Sequence, residues 1–302
     1  MLSGRDHGEV STSTGQETTP ARGDSARWRR AAVTGWPIGH SLSPVLHRAA
    51  YAALGLIGWT YEAVEIPSGA LRSWVDTLGP EWAGLSVTMP GKEEALALSE
   101  QASESARLTG SANTLVRTGG GWTAHNTDVE GLTAALQTCG LLAPVRATVI
   151  GGGATARSAL VALRGLGVRE ATIVVRDGLR PQTQELAERL DFLCTVQRLG
   201  ERPVTIGRDA SDVIVSTLPA TAPAPAMVLV GGGPPIVMDV AYAPWPSPFA
   251  LAVRGLGPSA PLVMKGTEML LRQAARQVRL MTGHDGPVEA MRAALAPQDQ
   301  TR

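Results

Sequence analysis

The run Gly151-Gly152-Gly153-Ala154-Thr155-Ala156 constrains this chain more than any other stretch. Before it lies Arg146-Ala147-Thr148-Val149-Ile150, whose β-branched residues predict a strand. After it comes an apolar-periodic segment that predicts a helix to residue 166. Strand, glycine turn and helix in that order open a dinucleotide-binding βαβ unit. The first glycine makes the tight turn, and the second lets the backbone approach a pyrophosphate. The small third residue, here Ala156, lets helix and strand pack closely, and the helix N-terminus faces the anion. Glycines alone would make only a turn. The flanking strand, the helix and a second strand over residues 171–176 favour binding.

That second strand ends at Val174-Val175-Arg176-Asp177, where an adenine ribose would lie. An acidic residue there holds the 2′-hydroxyl of NAD, and an arginine accommodates the 2′-phosphate of NADP. Arg176 and Arg180 favour the phosphate, whereas Asp177 leaves NAD open.

The same alternation runs through most of the chain. Residues 31–35, 60–66, 85–88, 213–216 and 236–239 read as strands. Residues 44–54, 71–78, 93–99, 131–140, 266–282 and 287–295 read as helices. This implies an α/β fold with a mostly parallel sheet. At about 150 residues per domain, 302 residues suggest two domains. Residues 1–29 are rich in Ser, Thr, Gly, Glu and Arg, lack apolar periodicity, and read as a disordered tail. Arg29-Arg30 precedes no apolar segment of the kind an export signal needs. Lys+Arg and Asp+Glu both number 27, so a zero net charge gives no long-range pull toward nucleic acid or anionic lipid. No apolar run approaches the ~18 residues of a membrane helix. Cys139 and Cys194 stand far apart, which excludes a Cys-only zinc site and a disulfide framework and fits a reducing cytoplasm. No metal site is expected.

Four short segments in the first half are unusually polar between apolar neighbours. Gly35-Trp36-Pro37-Ile38-Gly39-His40-Ser41-Leu42-Ser43-Pro44 puts two hydroxyls where a helix begins. Ser43 before Pro44 suits an N-cap, and Ser41 with Ser43 would also suit a small carboxylate. Ser86-Val87-Thr88-Met89-Pro90-Gly91-Lys92 places Lys92 just beyond a strand. A lysine there is ordinarily a solvated charge, but one partly buried in a site can move protons. Gly110-Ser111-Ala112-Asn113-Thr114-Leu115 and His125-Asn126-Thr127-Asp128 each contain an Asn-Thr pair, which alone reads as turn chemistry. His40 and His47 lie nearby, where a lone histidine is more often structural than catalytic.

Taken together and in order, these segments resemble the shikimate dehydrogenase family. The resemblance runs from about residue 33 to 295. It continues through Gly-Gly-Gly-Ala-Thr-Ala-Arg at 151–157, Asp239-Val240-Ala241-Tyr242-Ala243-Pro244, and Gly266-Thr267-Glu268-Met269-Leu270-Leu271-Arg272-Gln273. It implies a cytoplasmic enzyme of aromatic amino-acid biosynthesis that interconverts 3-dehydroshikimate and shikimate, with hydride from NADPH. By that resemblance Ser41 and Ser43 hold the substrate carboxylate, and Lys92 and Asp128 form the catalytic pair. Thr88, Asn113 and Gln273 hold ring hydroxyls, and Tyr242 lies near the substrate. Gly151, Gly152, Gly153, Ala154 and Thr155 match the pyrophosphate loop, and Arg176 and Arg180 the 2′-phosphate site. Val240 and Gly266 border the nicotinamide, and Glu104 aligns with a further position near the cofactor. The family usually has Asn where Ser86 stands, Asn-Arg-Thr where Val175-Arg176-Asp177 stands, and often Thr where Ser247 stands.

The expected architecture is an N-terminal α/β substrate-binding domain over residues 30–130, completed by C-terminal helices over 266–297, and a Rossmann-type dinucleotide-binding domain over 131–265. The reacting atoms would meet in the cleft between them. The competing readings are an NAD-dependent quinate/shikimate dehydrogenase, which Asp177 would favour, and a non-catalytic nucleotide-sensing protein, which would have no need for Lys92 with Asp128. The expected partner is a small-molecule substrate, with neither nucleic acid nor membrane. Oligomeric state is not legible.

Overall fold

A computed structural model describes residues 28–300, with side chains to residue 296. The expected tail lies outside the described residues as far as residue 27. Arg29, counted with that tail from sequence, is instead the first residue of a strand.

Six strands form a first sheet: β1 (Arg29–Gly35), β2 (Trp59–Glu65), β3 (Trp82–Val87), β4 (Gln101–Ala102), β5 (Thr114–Thr118) and β6 (Gly121–His125). Their order is β2-β1-β3-β5-β6-β4. Helices α1 (Ser43–Ala53), α2 (Leu71–Val75), α3 (Lys92–Leu98) and α4 (Glu104–Thr109) connect them. Pleat alternation sorts the side chains of β1: Ala31 and Val33 enter one apolar cluster with Leu46 of α1, and Ala32 enters another with Leu71 and Leu85. This sheet is mixed rather than mostly parallel, because β5 runs antiparallel to both β3 and β6. The β5–β6 hairpin closes through Gly119 and Gly120, whose φ angles of 57° and 98° suit a two-residue turn.

A second sheet is parallel throughout. Its strands are β7 (Arg146–Ile150), β8 (Glu170–Val175), β9 (Leu193–Arg198), β11 (Val213–Ser216), β13 (Ile236–Asp239) and β14 (Val263–Lys265), in the order β14-β13-β11-β7-β8-β9. The short strands β10 (Val204–Ile206) and β12 (Met227–Leu229) pair beside it. Helices α5 (Asp128–Thr138), α6 (Ala154–Gly165), α7 (Pro181–Arg189) and α8 (Pro248–Arg254) accompany these strands. Both faces are covered, as a parallel sheet requires. Val213 and Val215 pack with Leu160 and Leu163 of α6, and Ile214 between them packs with Phe249 and Val253 of α8.

Two helices then return to the first sheet. Along α9 (Thr267–Thr282), Met269 belongs to the core of the second sheet, whereas Leu271, Ala274 and Val278 belong to that of the first. The last helix, α10 (Val288–Gln300), packs on α1 and α9. Helix α5 lies between α9 and α6, so the two sheets meet around its N-terminus.

Candidate active site

The order of the second sheet reverses between β7 and β11, and such a switch point opens a crevice at the strands' carboxyl ends. The chain leaves β7 through Gly151 at φ 117°, where an added Cβ would lie 2.2 Å from Thr217 Oγ1. A side chain there would be strained at that φ and would push against Thr217. Gly153 caps α6 without a side chain, so the first N–H groups of the helix point into the crevice. The crevice is a cavity of ≈ 680 Å³ lined by the loop from Gly151 to Ala156, by Arg176, Asp177 and Arg180, and by Lys92 at its other end. Its volume and its anion-seeking helix terminus fit a dinucleotide. Arg176 Nε lies 3.8 Å from Asp177 Oδ2 at the exposed end, so a 2′-phosphate would compete with that carboxylate for the guanidinium. Gly266 abuts Val240, because a Cβ on it would fall 2.1 Å from the Val240 carbonyl oxygen. Asp239, just before Val240, accepts from the Ser247 hydroxyl and the Ala241 N–H, which pins this turn. Burial pushes the Asp239 carboxyl up from its ordinary value. Serine at 247 keeps the helix cap as well, accepting from Ala250 N–H.

At the near end of the cavity, Lys92 Nζ donates to Asp128 Oδ2 at 2.5 Å and to Thr155 Oγ1 at 3.3 Å. The two side chains of the ion pair are 13% and 7% exposed, so they are shielded from bulk water yet reachable. Asn113 Nδ2 donates to the other carboxylate oxygen of Asp128 at 2.8 Å and to Gln273 Oε1 at 3.2 Å. Thr127 N–H donates to Asn113 Oδ1 at 2.8 Å, which fixes the orientation of that amide. Asn113 and Asp128 thus meet because the β5–β6 hairpin pairs Thr114 with His125. Gln273 joins them because α5 and α9 approach closely at Gly131, where an added Cβ would lie 2.9 Å from Met269 O.

Ser43 does not cap α1. The N-cap is Leu42, with no side-chain hydrogen bond, and Ser43 lies within the helix. Its N–H donates to Ser41 Oγ at 3.3 Å, and its buried hydroxyl faces Tyr61. Neither serine is among the residues lining the large cavity. Thr88 lies where β1 ends, its N–H donating to Thr34 O at 2.8 Å. Tyr242 packs against the core of the first sheet. Glu104 is exposed at the start of α4 and is not among the residues lining the cavity. His47 is fully buried, stacked on Tyr61 at 4.0 Å, and burial lowers its pKa to about 4. It is a neutral core ring, not an acid or base facing a ligand.

Sequence reading overlooked several neighbours of the site. Thr155, a member of the glycine loop, also touches Lys92. Arg157 is 1% exposed and reaches Glu93 Oε1 at 2.7 Å and the Thr109 carbonyl, strapping α6 to α3 and α4. Gln277 stands one helical turn after Gln273 on the same face of α9, a spacing that could have flagged it. Among the described residues, no cluster of His, Cys, Asp and Glu could hold a metal ion, and no helix is long and apolar enough to cross a membrane.

Comparison with known proteins agrees over most of the chain. Residues 33–115 match the shikimate dehydrogenase substrate binding domain, and residues 266–296 match the shikimate 5′-dehydrogenase C-terminal domain. A shikimate dehydrogenase (NADP(+)) from a Synechocystis species is 36% identical over 278 residues, covering 87% of this chain and 93% of that protein. Among solved structures, the shikimate 5-dehydrogenase of Mycobacterium fortuitum is 45% identical with a TM-score of 0.71, covering 88% of this chain and 97% of its own. The shikimate dehydrogenase of Mycobacterium tuberculosis is 40% identical with a TM-score of 0.73, covering 89% and 99%.

Proposed function

The chain belongs to the shikimate dehydrogenase family, and from that we propose that it catalyses the reversible, NADP-dependent interconversion of shikimate and 3-dehydroshikimate. One observation carries the proposal. A lysine–carboxylate pair at 2.5 Å sits where hydroxyl-binding amides from the first sheet meet the glycine loop of the second. Residues 30–130 with helices 266–297 form the substrate domain, and residues 131–265 the dinucleotide domain.

Gly151 to Thr155 would hold the pyrophosphate of NADP, Arg176 and Arg180 its 2′-phosphate, and Val240 and Gly266 would border its nicotinamide; bound there, it would supply or accept the hydride. The protein's own groups do the rest. Reducing the ketone builds negative charge on its oxygen, and the Lys92 ammonium stabilises that charge and gives the oxygen a proton. In the oxidative direction the neutral amine takes the hydroxyl proton. Asp128 holds the lysine through Oδ2, and Asn113 steadies Asp128 through Oδ1. Thr88, Asn113, Gln273 and Tyr242 orient the ring, and Ser41 and Ser43 receive the carboxylate. The two unpaired thiols, Cys139 and Cys194, suit a cytoplasmic enzyme.

Steady-state rates with shikimate or quinate, each with NADP⁺ or NAD⁺, test this reading. Turnover of shikimate with NADP⁺ well above the other three pairs is expected. A preference for NAD⁺ or quinate would make Asp177 the deciding residue and overturn the assignment. Folded protein that turns over none of the pairs would leave only nucleotide binding.

A further inference from the structure

We propose that Gln277 is a positioning residue that ties the carboxylate-binding end of the substrate pocket to the catalytic pair. The proposal rests on the shikimate reading above and extends it to a residue that reading does not use.

A single run of hydrogen bonds joins the two ends. The Tyr61 hydroxyl, which faces Ser43, donates to Ser86 Oγ at 2.6 Å, and Ser86 donates to Gln277 Oε1 at 2.8 Å. Gln277 Nε2 donates to Thr114 Oγ1 at 2.9 Å and to the Asn113 carbonyl at 3.2 Å. Thr114 donates to Asn113 Oδ1 at 2.9 Å, and Asn113 Nδ2 to Asp128 Oδ1 at 2.8 Å. Every donor points the same way, from the serine end toward the carboxylate that holds Lys92. The backbone carbonyl of Asn113 can only accept, so it fixes which end of the Gln277 amide carries nitrogen. His47 Nε2, 3.2 Å from Gln277 Oε1, fills the remaining position on the amide.

The chain is buried throughout. Gln277 and Tyr61 are each 1% exposed, so water cannot substitute for a lost partner. Bonds in such a run polarise one another, and moving one member moves the next. Gln277 is the only member on α9, and it bridges β3, β5 and α1. A core amide of purely structural value would have no reason to end on Ser43 at one side and Asp128 at the other.

Three variants separate positioning from packing. Ser86→Ala cuts the run on the serine side only. Gln277→Glu keeps the oxygen that accepts from Ser86 but loses the donors to Thr114 and Asn113. Gln277→Met keeps the volume and loses every bond. Each is measured for kcat and KM with shikimate at saturating NADP⁺, for shikimate affinity by calorimetry without cofactor, and for Tm. Ser86→Ala is expected to raise KM and Kd for shikimate about three- to tenfold with kcat within about twofold of wild type. Gln277→Glu should restore shikimate affinity relative to Gln277→Met while kcat stays about tenfold down. The KM for NADP⁺ should not move in any of them. Lower Tm with unchanged kcat, KM and Kd in Ser86→Ala and Gln277→Glu would overturn the proposal, whether or not Gln277→Met folds. Wild-type protein that neither binds nor turns over shikimate would overturn the underlying reading as well. An active wild type with insensitive variants would overturn this inference alone.

Discussion

His47 shows what burial does to a single titratable group. Its ring is wholly enclosed and stacked on Tyr61, and desolvation lowers its pKa to about 4. An unfolded histidine takes up its proton near 6.5. The folded state therefore binds fewer protons between those two values, and stability falls as the pH drops from about 6.5 toward 4. The full cost, reached below that window, is roughly 3 kcal/mol. Thermal melts across this range should show Tm falling with pH. A His47→Gln variant should start less stable at pH 7 yet show a shallower slope. Equal slopes in both proteins would mean that another group carries the acid sensitivity.

At the scale of elements, the site depends on how closely helices can approach. Gly131 sits one turn after Asp128 on α5, and an added Cβ would lie 2.9 Å from both Met269 O and Gln273 Cβ. Helix propensity alone would make Gly131→Ala stabilising by about 1 kcal/mol. A backbone carbonyl cannot move aside as a side chain can, so the clash should win. Gly131→Ala is expected to lose about 1–2 kcal/mol by denaturant unfolding and to lower kcat, because α5 carries Asp128 away from Gln273. A variant as stable and as active as wild type would contradict that reading of the contact.

Elements also mark what the sequence could reveal. The glycine loop and its flanking strands were legible because hydrophobic period and glycine placement are local signals. The strands β7, β11 and β13 fall on the residues expected of them. The β5–β6 hairpin was not seen, although Gly119-Gly120 between short apolar runs was its signature. Without that hairpin, Asn113 and Asp128 are two unrelated turn residues, and only the family resemblance joined them. Ser43 was open to reading as a helix cap, since Ser-Pro is a common helix start and only the actual backbone shows that Leu42 takes the cap position. Gln277 was hidden because its four partners come from segments far apart in sequence.

At the scale of the molecule, two sheets with separate cores meet along α5, α6 and α9. Contacts cross between them where chemistry is proposed. Lys92 from the first sheet's side touches Thr155 of α6, and Glu93 beside it holds Arg157 of the same helix. Each side would bind its own ligand, and the proton-moving pair stands between them. Removing the lysine should therefore spare binding and abolish turnover. The direct measurement is kcat of Lys92→Ala with shikimate and NADP⁺, beside calorimetric binding of each ligand. Loss of roughly a thousandfold in kcat, with both ligands still bound within a few-fold of wild type, is the expected result. A near-normal kcat would contradict the role given to Lys92 and, with it, the proposed chemistry of the site.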